Sequence, residues 1–273
     1  MSATVVAPTT SGRGSFARLL RSEWTKLRTV RSTVWSLVLL VVLVLGFTTL
    51  FMGLTAAQWD KADAAARAAV QADPTSQILG AGFFLGQLAV CVLGVLVITS
   101  EYSTGMIRAS LLAVPRRVPM LVAKATVFTL LVLLLGEVVS FGSFAIGSAI
   151  LHSHAPVSLS DPGVLRAVVG AGLYLAVLGL FSLSIGALVR HTAAGITGVI
   201  GFVLVLAPLT QLLPGSIGKH VHAYLPTEAG HLIAQAHRAP NDLLSPGQGL
   251  AVFLAWTFGL FALSCVLLRR RDA

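Results

Sequence analysis

The chain has 273 residues, of which 56% are hydrophobic and only 11% charged, with a mean hydropathy of +0.88. A soluble domain carries about 25% charged residues, so a soluble globular class is excluded and an all-α polytopic membrane protein is expected. The formal net charge of +9 would suggest nucleic acid in a soluble chain. Here the cations flank apolar runs, where they orient spans in a bilayer, and no nucleic-acid partner is expected. Cys91 and Cys265 both fall inside apolar runs and imply neither a disulfide framework nor a metal knuckle.

Residues 1–14 are rich in Ser, Thr, Pro and Gly and read as a disordered tail, leaving 15–273 as a single transmembrane domain. The stretch 15–32 reads as an interfacial helix. Phe16, Leu19, Leu20, Trp24, Leu27 and Val30 share one face, and Arg18, Arg21, Thr25 and Arg28 lie opposite, with Lys26 adding to the charge. Glu23 interrupts the apolar face. A carboxylate there needs a partner, and Arg108 or Arg116 is the expected one.

Six runs are long enough, at about 20 residues each, to cross a bilayer: 34–54, 78–99, 120–150, 164–189, 193–213 and 249–268. The first exceeds the apolar core of a signal peptide and reads as an anchor. The third is too long for one straight span and must tilt or project. The fourth and fifth are joined by little more than Arg190 and His191, a tight hairpin. Lys and Arg crowd one side: Arg13 to Arg31, Arg108, Arg116, Arg117, Lys124, Arg190 and Arg269 to Arg271. Only Lys61, Arg67, Arg166, Lys219 and Arg238 fall on the other. That asymmetry predicts a multi-pass plasma-membrane protein with both termini cytoplasmic.

The outside loops read as structured. In 56–72 a short helix is predicted, with Asp63 paired to Arg67 at four-residue spacing and an end at Pro74. In 214–246 Thr227 is placed to cap a helix carrying Leu232, Ile233 and Ala236 that stops before Pro240.

The stretch 100–124 is the long polar insertion between spans two and three. Ile107, Leu111 and Val114 recur at helical spacing, Arg108 and Ser110 lie on other faces, and Pro115 ends the helix before Arg116, Arg117 and Lys124. It reads as a cytoplasmic docking helix.

Motifs for other chemistry are absent. Gly218-Lys219-His220 lacks the upstream glycine and the Ser/Thr of a phosphate-binding loop, and neither HExxH nor GxSxG occurs. The pairs His152/His154 and His220/His222 could bind a soft metal, but alternate histidines are more often ordinary loop residues, and no metal site is assigned. Glu137, midway along the third run, is a candidate for a proton relay or substrate contact. Its plainer reading is a protonated carboxyl hydrogen-bonded to a neighbouring span. The stripes Gly136, Ser140, Ser143, Gly147 and Gly172, Ala176, Gly179, Gly186 read as close helix packing.

Two segments carry a resemblance. Glu23-Trp24-Thr25-Lys26-Leu27-Arg28-Thr29 precedes the first span. Glu101-Tyr102, Gly105, Ile107-Arg108, Leu111-Leu112, Pro115-Arg116 and Lys124 follow the second. Together they resemble the permease subunit of type-2 ATP-binding-cassette transporters, particularly the actinobacterial branch, as does Pro226-Thr227-Glu228 in the last outside loop. Met106 departs from the pattern, where threonine commonly follows the glycine. The resemblance implies six spans, a coupling helix between spans two and three, and re-entrant helices before span six. It also implies a permease dimer with a second copy or a related permease, working as an exporter with separate ATPase subunits that hold ATP and magnesium. This chain itself is then no enzyme and binds no cofactor. The alternatives are a non-transporting assembly or immunity protein and an intramembrane enzyme, the last lacking a paired nucleophile and base.

Overall fold

The computed structural model describes residues 12–104, 117–239 and 241–270. Among them every regular element is helical. Helix α1 (Gly12–Thr29) begins inside the stretch expected to be tail, and residues before Gly12 lie outside the described part. It is followed by α2 (Arg31–Ala57), a short 3-10 turn, α3 (Ala64–Ala72), α4 (Pro74–Ser103), α5 (Arg117–Leu151), α6 (Val164–Val189) and α7 (Thr192–Thr210). Then come α8 (Gly215–Ala223), α9 (Pro226–His231) and α10 (Pro246–Arg270). Helices α2, α4, α5, α6, α7 and α10 are long and apolar enough to cross a membrane. The chain is an all-α, multi-pass membrane protein.

Prolines mark helix starts. Pro74, Pro226 and Pro246 each open a helix, where the missing N–H costs nothing and φ is already helical. Pro208 falls inside α7 instead. Its ring crowds the carbonyl four residues back, and the preceding turns, Gly201–Leu206, widen into a π-helix. The 35 residues of α5 make a rod about 52 Å long at 1.5 Å per residue, well beyond a hydrocarbon core of about 30 Å.

Helix α6 is the centre. Over its most apolar stretch 83% of its residues are buried, against 22% in α2 and α7 and 17% in α10. The small-residue stripes explain how α4 and α5 reach it. A Cβ built on Gly136 would stand 2.9 Å from the carbonyl oxygen of Gly172, and one on Gly94 would stand 2.7 Å from that of Gly179. Ser140 Oγ donates to the carbonyl of Val168, across the same α5–α6 seam. Tyr174, Phe181 and Phe253, all fully buried, fill the space between α6 and α10.

Two local expectations are corrected. Asp63 does not pair with Arg67: its carboxylate accepts from the Ala66 N–H at 2.7 Å as the N-cap of α3, and Arg67 donates to the Asp60 carbonyl at 2.8 Å. A cap satisfies an orphan backbone donor, which an exposed ion pair does not. Thr227 does not cap α9, which starts at Pro226 with Leu225 as its N-cap. Its hydroxyl is buried with no hydrogen-bond partner among the described residues. The α6–α7 hairpin forms as read: Arg190 takes a left-handed conformation (φ 57°) and His191 Nδ1 accepts from the Ala194 N–H.

The glycine seams give a direct test. Gly94→Leu drives a side chain into backbone and should destabilise the protein by about 1–3 kcal/mol. Gly46→Ala meets nothing within 4 Å and should leave the melting temperature unchanged or raise it. Thermal unfolding in detergent separates the two.

Candidate functional site

The helix ends gather the charge. Starting from α1, Glu23 and Lys26 stand one turn apart on the side facing the bundle. Lys26 Nζ donates to Glu23 Oε1 at 2.7 Å and to Glu101 Oε1, near the end of α4, at 3.0 Å. From α5, Lys124 Nζ donates to Glu23 Oε2 at 2.6 Å and to Glu101 Oε1 at 2.9 Å. Two carboxylates and two ammonium groups close a ring that joins α1, α4 and α5. Three of the four are almost wholly buried; only Lys26, 30% exposed, touches the outside.

Each charge is there because of the others. A lone buried carboxylate or ammonium costs several kcal/mol, and Glu101 sits beside the negative end of the α4 dipole, which opposes it further. Burial pulls the Lys26 ammonium down, but its hydrogen bond to Glu23 and the charge of Glu101 outweigh it and hold its pKa above the ordinary value. A raised lysine pKa keeps that contribution intact at neutral pH and loses it only above the ordinary lysine range. Glu101 Oε2 remains buried without a partner among the described residues.

The same end of α4 makes two more ties. Tyr102 lies under the Arg190 guanidinium, 5.2 Å from the ring centre, and Thr192 Oγ1 donates to Thr99 Oγ1 at 3.0 Å. Over four residues α4 therefore grips α1, α5 and the α6–α7 hairpin. That grip stands at both roots of the segment 105–116: Glu101 just before it, Lys124 just after.

Of the residues singled out in the sequence, the structure brings Glu23, Lys26 and Glu101 together, with Tyr102 adjoining. Leu27 is buried in the core, while Trp24 is 41% exposed with Arg28 stacked over it at 5.9 Å. Glu23 has the partner it needs, but the described partners are lysines. Arg108 and Arg116, expected in that role, lie outside the described residues with Gly105, Ile107, Leu111, Leu112 and Pro115. Lys124 read as a surface charge and as part of the resemblance, yet a single cation within an apolar run is itself the signal that it is paired. Nothing in the spacing pointed to Arg190 on Tyr102 or Thr192 on Thr99.

Glu137 is separate from this ring. It is half-buried with its carboxyl against Gly172, and Oε2 has no hydrogen-bond partner among the described residues, so the expected bond to a neighbouring span is not seen for that oxygen. At the opposite end of the bundle, Gln87, Tyr174, Thr227, Glu228 and His231 line a cavity of about 220 Å³. Burial lowers the His231 pKa against the opposing charge of Glu228. His220 and His222 are engaged by Ser216 and by Thr210 and Glu228, and His154 lies tilted against the Trp59 ring. Among the described residues no three His, Cys, Asp or Glu side chains form a group that could hold a metal.

The ring predicts an order of sensitivity. Lys124→Met leaves two buried carboxylates sharing only the partly solvated Lys26 and should cost about 3–5 kcal/mol. Lys26→Met leaves Lys124 bridging both and removes a partly solvated charge, so its loss should be the smaller one. Equal destabilisation in an unfolding titration would mean that burial does not set the energetics.

A family model described as an ABC-2 family transporter protein matches residues 19–208. That interval holds all four members of the ring. Among curated proteins none matches the chain.

Proposed function

Because the chain belongs to the ABC-2 family of transporter membrane proteins, we propose that it forms the translocation path of an ATP-driven exporter as a dimer, driven by separate ATPase subunits. The chain has no phosphate-binding loop, so the force must enter from a partner. The observation that carries the proposal is the ion ring at both roots of segment 105–116. A push on that segment from an ATPase reaches α1, α4 and α5 together, because the helix ends are tied to one another rather than separately solvated. The long α5 then carries the displacement into the membrane as a rigid element. In this reading the basic end faces the cytoplasm, as do both termini, and the membrane is the plasma membrane.

The burial pattern supports dimerisation. Helices α2, α7 and α10 are buried over only 22%, 22% and 17% of their most apolar stretches within one chain, and α6, buried on nearly all sides, is unavailable to line a shared path. A second copy or a related permease against these outer helices gives the path its other wall.

Two experiments test the proposal. Leu111→Asp places a charge in the contact with the ATPase and should weaken association by about 2–4 kcal/mol. The variant should insert and fold normally, lose the ATPase on purification and lose transport. Normal ATPase retention with normal transport would remove segment 105–116 from the mechanism. In sealed cells, cysteines at Lys61 and Lys219 should be labelled from outside and one at Arg108 should not; labelling at Arg108 would invert the topology.

A further inference from the structure

Where α1 crosses α5, the two helices leave a groove of about 500 Å³ lined by Leu20, Arg21, Trp24, Val127, Leu130 and Leu134. From the level of Thr126 to Leu134 it follows α5 for about 12 Å at 1.5 Å per residue. Its floor is hydrocarbon: Leu130 and Leu134 are 59% and 63% exposed with no protein over them. Its mouth is cationic. Arg21 makes no side-chain hydrogen bond or ion pair with any described residue, and Arg28 stacks on the Trp24 face beside it. The one carboxylate of α1, Glu23, is turned to the other side and consumed by Lys26 and Lys124. Thr126, the polar residue of the wall, already donates to the Val122 carbonyl.

We infer that this groove is a binding site for one anionic glycerophospholipid of the leaflet against which α1 lies. The phosphate sits on Arg21 beside the Trp24 indole, and an acyl chain runs down α5 over Leu130 and Leu134. The occupant is set by complementarity at both ends. A soluble ligand would leave the leucine floor in contact with lipid, and an apolar protein segment would leave the cationic mouth unanswered. An indole at the water–hydrocarbon boundary is where a headgroup meets its chains. Because α1 is fastened to α4 and α5 by the ion ring, the lipid wedges beneath a helix that cannot swing away, which makes the site a fixed one.

The test uses the full-length chain with Trp35→Phe, Trp59→Phe and Trp256→Phe, so that Trp24 alone fluoresces, in phosphatidylcholine vesicles containing a minority of brominated phosphatidylglycerol or brominated phosphatidylcholine. Phosphatidylglycerol should quench Trp24 at the lower mole fraction. Since one basic residue near an anionic surface contributes about fivefold, Arg21→Gln should reduce the preference by about that factor. Arg21→Lys should retain most of it, and Arg269→Gln, at the far end of α10, should leave it unchanged. Equal quenching by both lipids would overturn the inference, since any phospholipid then fills the groove. Absence of quenching by either would show that protein covers it. An equal loss in Arg269→Gln would reduce the effect to diffuse surface charge. Native mass spectrometry of the chain with all four tryptophans intact, comparing bound phosphatidylglycerol in Arg21→Gln and its parent, gives the same decision if the single-tryptophan protein does not fold.

Discussion

Two glutamates and a lysine withdrawn from water, with a second lysine at their edge, must satisfy one another, and the arrangement of this protein at its basic end depends on that constraint. The ring from Glu23 through Lys124 and Glu101 to Lys26 is not chiefly a source of stability, since apolar residues of the same shape could pack there as well or better. What it supplies is a fixed relation between three helices that the chain brings together from residues 23, 101 and 124. Leu-on-Leu contacts would permit α1 to slide along α5. A carboxylate shared between two ammonium groups defines one register.

The rest of the bundle supports that end. Helix α6 is wrapped by α4 and α5 through glycine seams too close for any side chain, so the lengths of α4 and α5 move as one body with it. The hairpin after α6 returns to α4 by way of Arg190 on Tyr102 and Thr192 on Thr99. By contrast α2, α7 and α10 each bury only one side and expose leucine, valine and phenylalanine on the other. The molecule thus divides into a stiff core of α4, α5 and α6 capped by α1 and a set of outer helices suited to face lipid or a second permease. A π-helical stretch ahead of Pro208 puts the main backbone irregularity of the spans in one of those outer helices.

Much of this was legible in the residues. Runs of about 20 apolar positions and the uneven distribution of arginine suffice for six spans, because lipid leaves a chain few ways to satisfy its backbone. The small-residue stripes on α5 and α6 announced close packing, and Glu23 announced a partner by standing on an apolar face. Identifying that partner required three dimensions. Arginines of the docking stretch were the natural expectation, whereas Glu23 is met by Lys26 one turn on and by Lys124, 101 positions away, which looked like the basic edge of a span. Asp63 misled for a related reason: four-residue spacing to Arg67 is equally compatible with an N-cap, and local backbone donors are nearer than a flexible guanidinium. The π-turns of α7 could have been suspected from Pro208, but a proline in a span is also compatible with a simple kink.

Glu101 and Lys124 act on one another across the roots of segment 105–116. A double-mutant cycle with Glu101→Gln and Lys124→Met, read by reversible unfolding in mixed micelles, measures that coupling directly. Each single variant should be destabilised, and the pair together should recover much of the loss, with an interaction energy on the order of 1–3 kcal/mol. Losses that add to within about 0.5 kcal/mol would mean that the two helix ends are independent, and the ring could not serve as the device that carries motion from that segment into the spans.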